Sequence, residues 1–248
     1  MNCLFLLVFS GILCPQLDAQ FLRDQLNHSR VKGAKQEKED YLRSECELYG
    51  VDFDAVVNIY IRAFKQEEIL ELWVQEDFGD DYILLKEYEF CMFSGKLGPK
   101  REQGDLQIPE GFYFIDHFNA TSNYHLSLGI NYPNPSDVVK GNRQKLGGSI
   151  YIHGACETIG CIPLTDDKIK EVYWMSVVAH ARGQKRVPVH IFPYKFDQNS
   201  PKSYKMWDVN DQNVRSFWQG IEQGYYFFEQ YQQPPFVVID PDGSYYFY

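Results

Sequence analysis

Positive charge is scarce in this chain. Its 248 residues hold 24 lysines and arginines against 34 aspartates and glutamates, for a net charge of −10. A nucleic acid or an anionic lipid surface would find no electrostatic footing on such a molecule. No basic cluster interleaved with aromatics relieves the deficit. Long apolar runs are missing too: the stretch that begins Cys3-Leu4-Phe5-Leu6-Leu7-Val8-Phe9 ends near Pro15, too short to span a bilayer. Paired metal-ligand spacings, Cys-x-x-Cys or His-x-x-x-His, do not occur, and neither does an internal repeat. No cofactor or metal is implied.

What the first residues do offer is a leader. An apolar segment of that length, followed by a small residue at Ala19 before Gln20, reads as a signal peptide over residues 1–19. Its positive n-region is only the α-amino group, since no Lys or Arg precedes Arg23. Leu13 is a poor neighbour for lipid attachment at Cys14. Export is the expectation. Of the six cysteines, Cys46, Cys91, Cys156 and Cys161 then remain. Four thiols in an oxidising compartment allow two disulfides in three connectivities. A chain of this size does not need them for stability, so a free reactive thiol is equally reasonable.

Aromatic residues make up 16% of the chain, which favours a β-rich fold over a helical bundle. Residues 20–50 are a polar lead-in: Leu42, Cys46 and Tyr49 share a helical face, whereas residues 20–36 read equally as a solvated linker. Strand-like runs follow at 56–64 and 69–74, joined through the hairpin Lys65-Gln66-Glu67-Glu68, and at 82–93. After a long turn-rich loop over 94–105 and a turn at Pro109-Glu110-Gly111, further strands are expected at 112–118, 124–132 and 149–152. Thr165 is placed to cap a helix running to about His180, with Asp166 and Asp167 in its first turn. A strand at 187–192 follows. Beyond residue 193 an aromatic extension carries Val214, Phe217, Trp218, Ile221, Tyr225 and Phe228 at helical spacing, then a terminal hairpin through Asp240-Pro241-Asp242-Gly243.

The chemistry concentrates in residues 152–165, where His153 ends a strand and Cys156 and Cys161 flank a glycine-containing turn before the helix. Three readings compete. Cys161 and His153 form a nucleophile and base; His153, Cys156 and Cys161 are ligands of a zinc ion; or Cys156 and Cys161 form a structural disulfide beside an inert histidine.

The segment resembles the signature of the L,D-transpeptidase catalytic domain (YkuD-type), a His-Gly followed by Ser/Thr-x-Gly-Cys. Here these are His153-Gly154 and Thr158-Ile159-Gly160-Cys161. The likeness extends to the YafK-like branch of that family. It includes Ser94-Gly95-Lys96-Leu97-Gly98-Pro99-Lys100, the turn Gly104 to Tyr113, and Tyr132-Pro133-Asn134 followed by Asp137. The resemblance covers roughly residues 56–192 and implies a mainly β (α+β) catalytic domain of sandwich or barrel type over 51–193. The extension, 194–248, would pack upon it.

Carried over residue by residue, the resemblance implies Cys161 as nucleophile and His153 as proton acceptor and donor. The Gly154 carbonyl would orient the imidazole, and the backbone at Gly160 would face an oxyanion. The substrates implied are peptidoglycan stem peptides, with a wall-linked lipoprotein as a further partner; the compartment is the periplasm or cell envelope. Lys100 and Arg143, in loops beside the motif, are candidate holders of a substrate carboxylate. Cys156 is expected either to be inert or to pair reversibly with Cys161. Cys161 itself is expected to alkylate fastest, with a pH dependence below that of a free thiol. The family's long loop between His and Cys is replaced by a short one, and Pro163 stands where many members carry Arg. The rival expectation is a non-catalytic wall-binding module locked by a Cys156–Cys161 disulfide.

Overall fold

A computed structural model describes residues 18–197 and 210–248; residues 1–17 of the expected leader lie outside the described residues. The lead-in is helical throughout, in α1 (Ala19–Leu26) and α2 (Ser29–Leu48). The linker reading of residues 20–36 is therefore corrected: Val31 and Ala34 are buried against the domain. Asp18, on the leader side of the expected boundary, caps α1 by accepting from Phe21 N, and its backbone N–H donates to Ala181 O. Leu42 and Cys46 are buried, but Tyr49 is exposed at the end of α2.

The strands are β1 (Asn58–Phe64), β2 (Ile69–Gln75), β3 (Ile83–Glu89), β4 (Gly111–Asn119), β5 (Ser127–Ile130), β6 (Tyr151–His153), β7 (Ile162–Pro163) and β8 (Pro188–Phe192). They form one sheet in the order β3-β2-β1-β8-β4-β5-β6-β7. Pairing is antiparallel except at β1–β8 and β6–β7. A bulge between Ile115 and His117 in β4 bends that strand where it leaves β8 for β5. The fold is mainly β with helices around it, as the sequence resemblance implied.

Two apolar layers sandwich the sheet. A short helix, α3 (Pro135–Lys140), follows β5. On one face of the sheet lies α4 (Asp166–Ala181), capped by Thr165 Oγ1 accepting from Lys168 N at 3.3 Å. Its buried residues run around the helix, from Ile169 through Val172, Trp174 and Met175 to Ala179, because α1 and α2 cover the side that the sheet does not. On the other face, α5 (Gln212–Tyr231) sets Phe217, Trp218, Ile221 and Tyr225 against Phe64, Phe112 and Phe192. The terminal hairpin, β9 (Val237–Ile239) with β10 (Tyr245–Phe247), adds Tyr245 to that aromatic layer. With both faces covered, β1 is buried at six of its seven residues.

One polar contact crosses the aromatic layer. Lys65 and Glu110, both read from sequence as turn residues, form an ion pair at 2.9 Å with both side chains wholly buried. Lys65 Nζ also donates to the carbonyls of Gly98 and Ile108. Glu110 accepts from Gly98 N and, at 2.7 Å, from the Trp218 indole of α5. Burial lowers the Lys65 pKa, opposed by the Glu110 charge.

Two stability predictions follow from buried ionisable groups. Removing one partner of such a pair leaves an uncompensated buried charge, at about 3–5 kcal/mol. Lys65→Met is expected to lower the urea unfolding free energy by that amount, and adding Glu110→Leu to recover part of it. The second concerns His190, whose Nδ1 lies 2.7 Å from the Tyr60 hydroxyl. Burial, with the Arg62 charge, lowers its pKa to about 3. A depressed histidine adds stability above its unfolded value of about 6.5 and loses it as pH falls toward 3. Asp137, raised by burial to about 6, acts in the opposite sense. Urea midpoints from pH 7 to pH 4 should therefore decline less in His190→Gln than in the natural protein.

Candidate active site

Parallel neighbours ordinarily need a crossover of a dozen or more residues. Here β6 and β7 run parallel, pairing Ile152 with Ile162 and His153 with Pro163, yet the link between them spans only 154–161. So short a return forces the backbone out of ordinary regions: Ala155 has φ +57° and Gly160 φ +131°. Glycine is required twice. A Cβ on Gly160 would stand 2.8 Å from the Gln107 carbonyl oxygen, and one on Gly154 would stand 2.7 Å from Asp166 Oδ1. The link is pinned at its base by Gly154 N donating to Leu126 O and Leu164 N donating to His153 O.

This return sets Cys161 two residues before the ladder partner of His153. Pro163 is the ladder partner of His153, so Cys161, two residues earlier, projects to the same face. His153 is 2% exposed, and the ring of Tyr124 lies across it at 4.7 Å. Its Nδ1 lies 2.5 Å from the Gly154 carbonyl oxygen. A carbonyl only accepts, so Nδ1 carries the proton and Nε2 keeps its lone pair. Burial holds His153 below the ordinary histidine value, opposed by that carbonyl.

Cys161 is a free, half-buried thiol. Its Sγ lies 3.8 Å from the Ser149 carbonyl oxygen. Burial pushes the thiol up, against the Tyr151 backbone N–H and the Lys100 charge, which act the other way. The expected lowering of this thiol is thus corrected: desolvation outweighs the two favourable contacts. Burial thus disfavours the charged form of each side chain.

Three further expectations change. Cys156 is bonded to Cys91, which follows β3, and not to Cys161; neither the structural nor the switching disulfide between Cys156 and Cys161 forms. The Gly160 N–H, expected to face an oxyanion, donates to Thr158 Oγ1 at 3.2 Å, and the Cys161 N–H donates there at 2.9 Å. The same hydroxyl donates to the Cys161 carbonyl. Finally, Lys100 is buried, with its ammonium committed to Asp105 and the Glu102 carbonyl, and so is not free for a substrate carboxylate. Arg143 is exposed on the loop before β6 and, among the described residues, takes part in no ion pair. Nor do three or more potential metal ligands gather among the described residues.

Sequence reasoning missed β7, Tyr124 over His153 and the role of Cys91. Tyr124 opens the expected strand over 124–132, with no signal that it meets His153; nothing in the spacing could pair Cys91 with Cys156, 65 residues away. A cross-link closing a loop of that length stabilises by about 4 kcal/mol on chain-entropy grounds. Cys91→Ser should lower the unfolding free energy by an amount of that order. In the native protein, iodoacetamide should modify Cys161 without reductant and Cys91 and Cys156 only after it, as read by peptide mass spectrometry. A Cys161 that labels only after reduction would refute the pairing.

The sequence model of the L,D-transpeptidase catalytic domain (YkuD) matches residues 71–191, from β2 to β8 and across the whole site. YafK of Escherichia coli (strain K12) is 36% identical over 183 residues, covering 73% of this chain and 70% of that protein; the O157:H7 sequence matches equally. The crystal structure of the helical cell shape determining protein Pgp2 from Campylobacter jejuni aligns with a TM-score of 0.45 at 19% identity, over 82% of this chain and 81% of that one. Its K307A mutant aligns with the same TM-score at 24% identity, over 65% of this chain and 56% of that one. By its sequence relatives, and with the family's His-Gly and Thr-x-Gly-Cys residues in order along the chain, the chain belongs to the L,D-transpeptidase (YkuD) family.

Proposed function

We propose that this protein is a cysteine-dependent enzyme of peptidoglycan stem peptides, working outside the cytoplasmic membrane. The observation that carries the reading is the Nδ1 contact of His153 with the Gly154 carbonyl. It leaves Nε2 as a base on the ladder face that Cys161 shares, while Cys156 is withdrawn to Cys91. The carbonyl orients the imidazole without burying a second charge.

The steps balance simply. His153 Nε2 takes the Cys161 thiol proton as Sγ attacks the carbonyl carbon of the third stem-peptide residue. The oxyanion displaces the Thr158 hydroxyl from the Gly160 and Cys161 N–H groups, which then stabilise it. Collapse breaks the amide, and the imidazolium protonates the departing amine, either D-alanine or the lysine of a wall-linked lipoprotein. The thioester on Cys161 is then resolved by a stem-peptide amine, a protein lysine or water. Neither Lys100 nor Arg143 enters this scheme. The rival binding module loses its support, since the disulfide that was to lock it does not involve Cys161.

Purified protein incubated with disaccharide-peptides should change their masses. Dimers would mark a transpeptidase, and loss of a terminal residue or linked amine a hydrolase. Cys161→Ala should abolish turnover, and His153→Gln should lower it by about 10²- to 10⁴-fold. The reaction needs neutral His153, whose pKa is depressed. Activity should thus persist as pH falls through the ordinary histidine value and decline only below it. Unchanged muropeptides, or Cys161→Ala behaving as the natural protein does, would refute the assignment.

A further inference from the structure

The peptide unit between Gly154 and Ala155 is held from both ends. Its carbonyl lies on His153 Nδ1, and its N–H donates to Asp166 Oδ1 at 2.8 Å. A peptide is planar, so fixing the N–H direction fixes the carbonyl direction. Left alone, this peptide has reason to turn: Ala155 sits at φ +57°, a region that costs a non-glycine residue roughly 1 kcal/mol or more. The carboxylate can come this close only because Gly154 lacks a side chain. It can carry charge there because Asp166 is the first residue of α4, where backbone N–H groups favour an anion.

We infer that Asp166 is a positioning residue of this site, holding the Gly154–Ala155 peptide so that its carbonyl keeps the His153 proton on Nδ1. The inference rests on the assignment of His153 as the base, which it deepens. Without the clamp the peptide turns, the carbonyl leaves Nδ1, and the imidazole is freed to its other tautomer, with a proton on Nε2. That tautomer cannot accept from Cys161. Asp167, one residue on, makes the comparison clean: it sits in the same first turn but pairs with Lys38 of α2 and has no bond to the loop.

The test uses ¹⁵N-histidine-labelled full-length protein and the variants Asp166→Ala, Asp166→Asn and Asp167→Ala, with melting curves to confirm that each folds. Asparagine keeps the acceptor oxygen and should behave within about twofold of the natural protein. Asp166→Ala should move the His153 nitrogen shifts toward the Nε2–H form. It should also lower kcat on disaccharide-peptides about tenfold with KM unchanged, whereas Asp167→Ala does neither. A His153 tautomer unmoved in Asp166→Ala would overturn the inference, as would equal losses in the alanine and asparagine variants or equal losses at positions 166 and 167. The nitrogen shifts need no substrate, so a protein inactive on every muropeptide would sink the proposed reaction while the tautomer still decides the clamp.

Discussion

The buried Lys65–Glu110 pair is the contact on which the arrangement of the site depends. Lys65 follows β1, and its ammonium donates to carbonyls on both sides of the loop over 94–110. Glu110 fastens the same loop to α5 through Trp218. That loop brings the Gln107 backbone against Gly160 and the Lys100 charge to bear on Cys161. Helix α5 thereby bears on the turn before Cys161 through one ion pair and one indole. Charges buried this deeply stabilise only when every partner is present, so the extension and the loop hold their places together.

The site is electrostatically quiet. Burial disfavours charge on both members of the candidate pair, and Lys100, whose charge acts on Cys161, is committed to Asp105. What the geometry fixes in this pair is the tautomer of one imidazole, through the Gly154 carbonyl. Tyr124, lying over the ring, adds the desolvation that keeps that imidazole neutral.

How much of this was legible depended on sequence distance. The strand end at His153, the turn at Gly160 and the cap at Thr165 could be read because they are local, whereas the roles of His153 and Cys161 rest on the family resemblance. Helix α5 could be read from its apolar period despite two glycines. β7 could not, since two residues, one of them proline, carry no strand pattern. The Cys91–Cys156 bond and the Lys65–Glu110 pair were illegible for another reason. Each joins residues that look like ordinary turn or strand-end positions, and only the packing of distant segments gives them partners. The thiol was misjudged likewise, because the local sequence displays its favourable contacts but not its burial.

The sheet has to stop somewhere, and it stops at β7, beside Cys161. An open strand edge invites another strand to pair with it. Here the outward positions are Cys161 and Pro163. Cys161 has both backbone groups taken by the Thr158 hydroxyl. Pro163 has no N–H, and its carbonyl accepts from Cys91 N. Each of these outward groups therefore already has a partner within the chain. A second molecule that extended the sheet there, or a peptide docking as a ninth strand, would first have to displace the Thr158 hydroxyl or the Cys91 N–H. The edge is thus guarded by two local contacts that a substrate reaching Cys161 has to open.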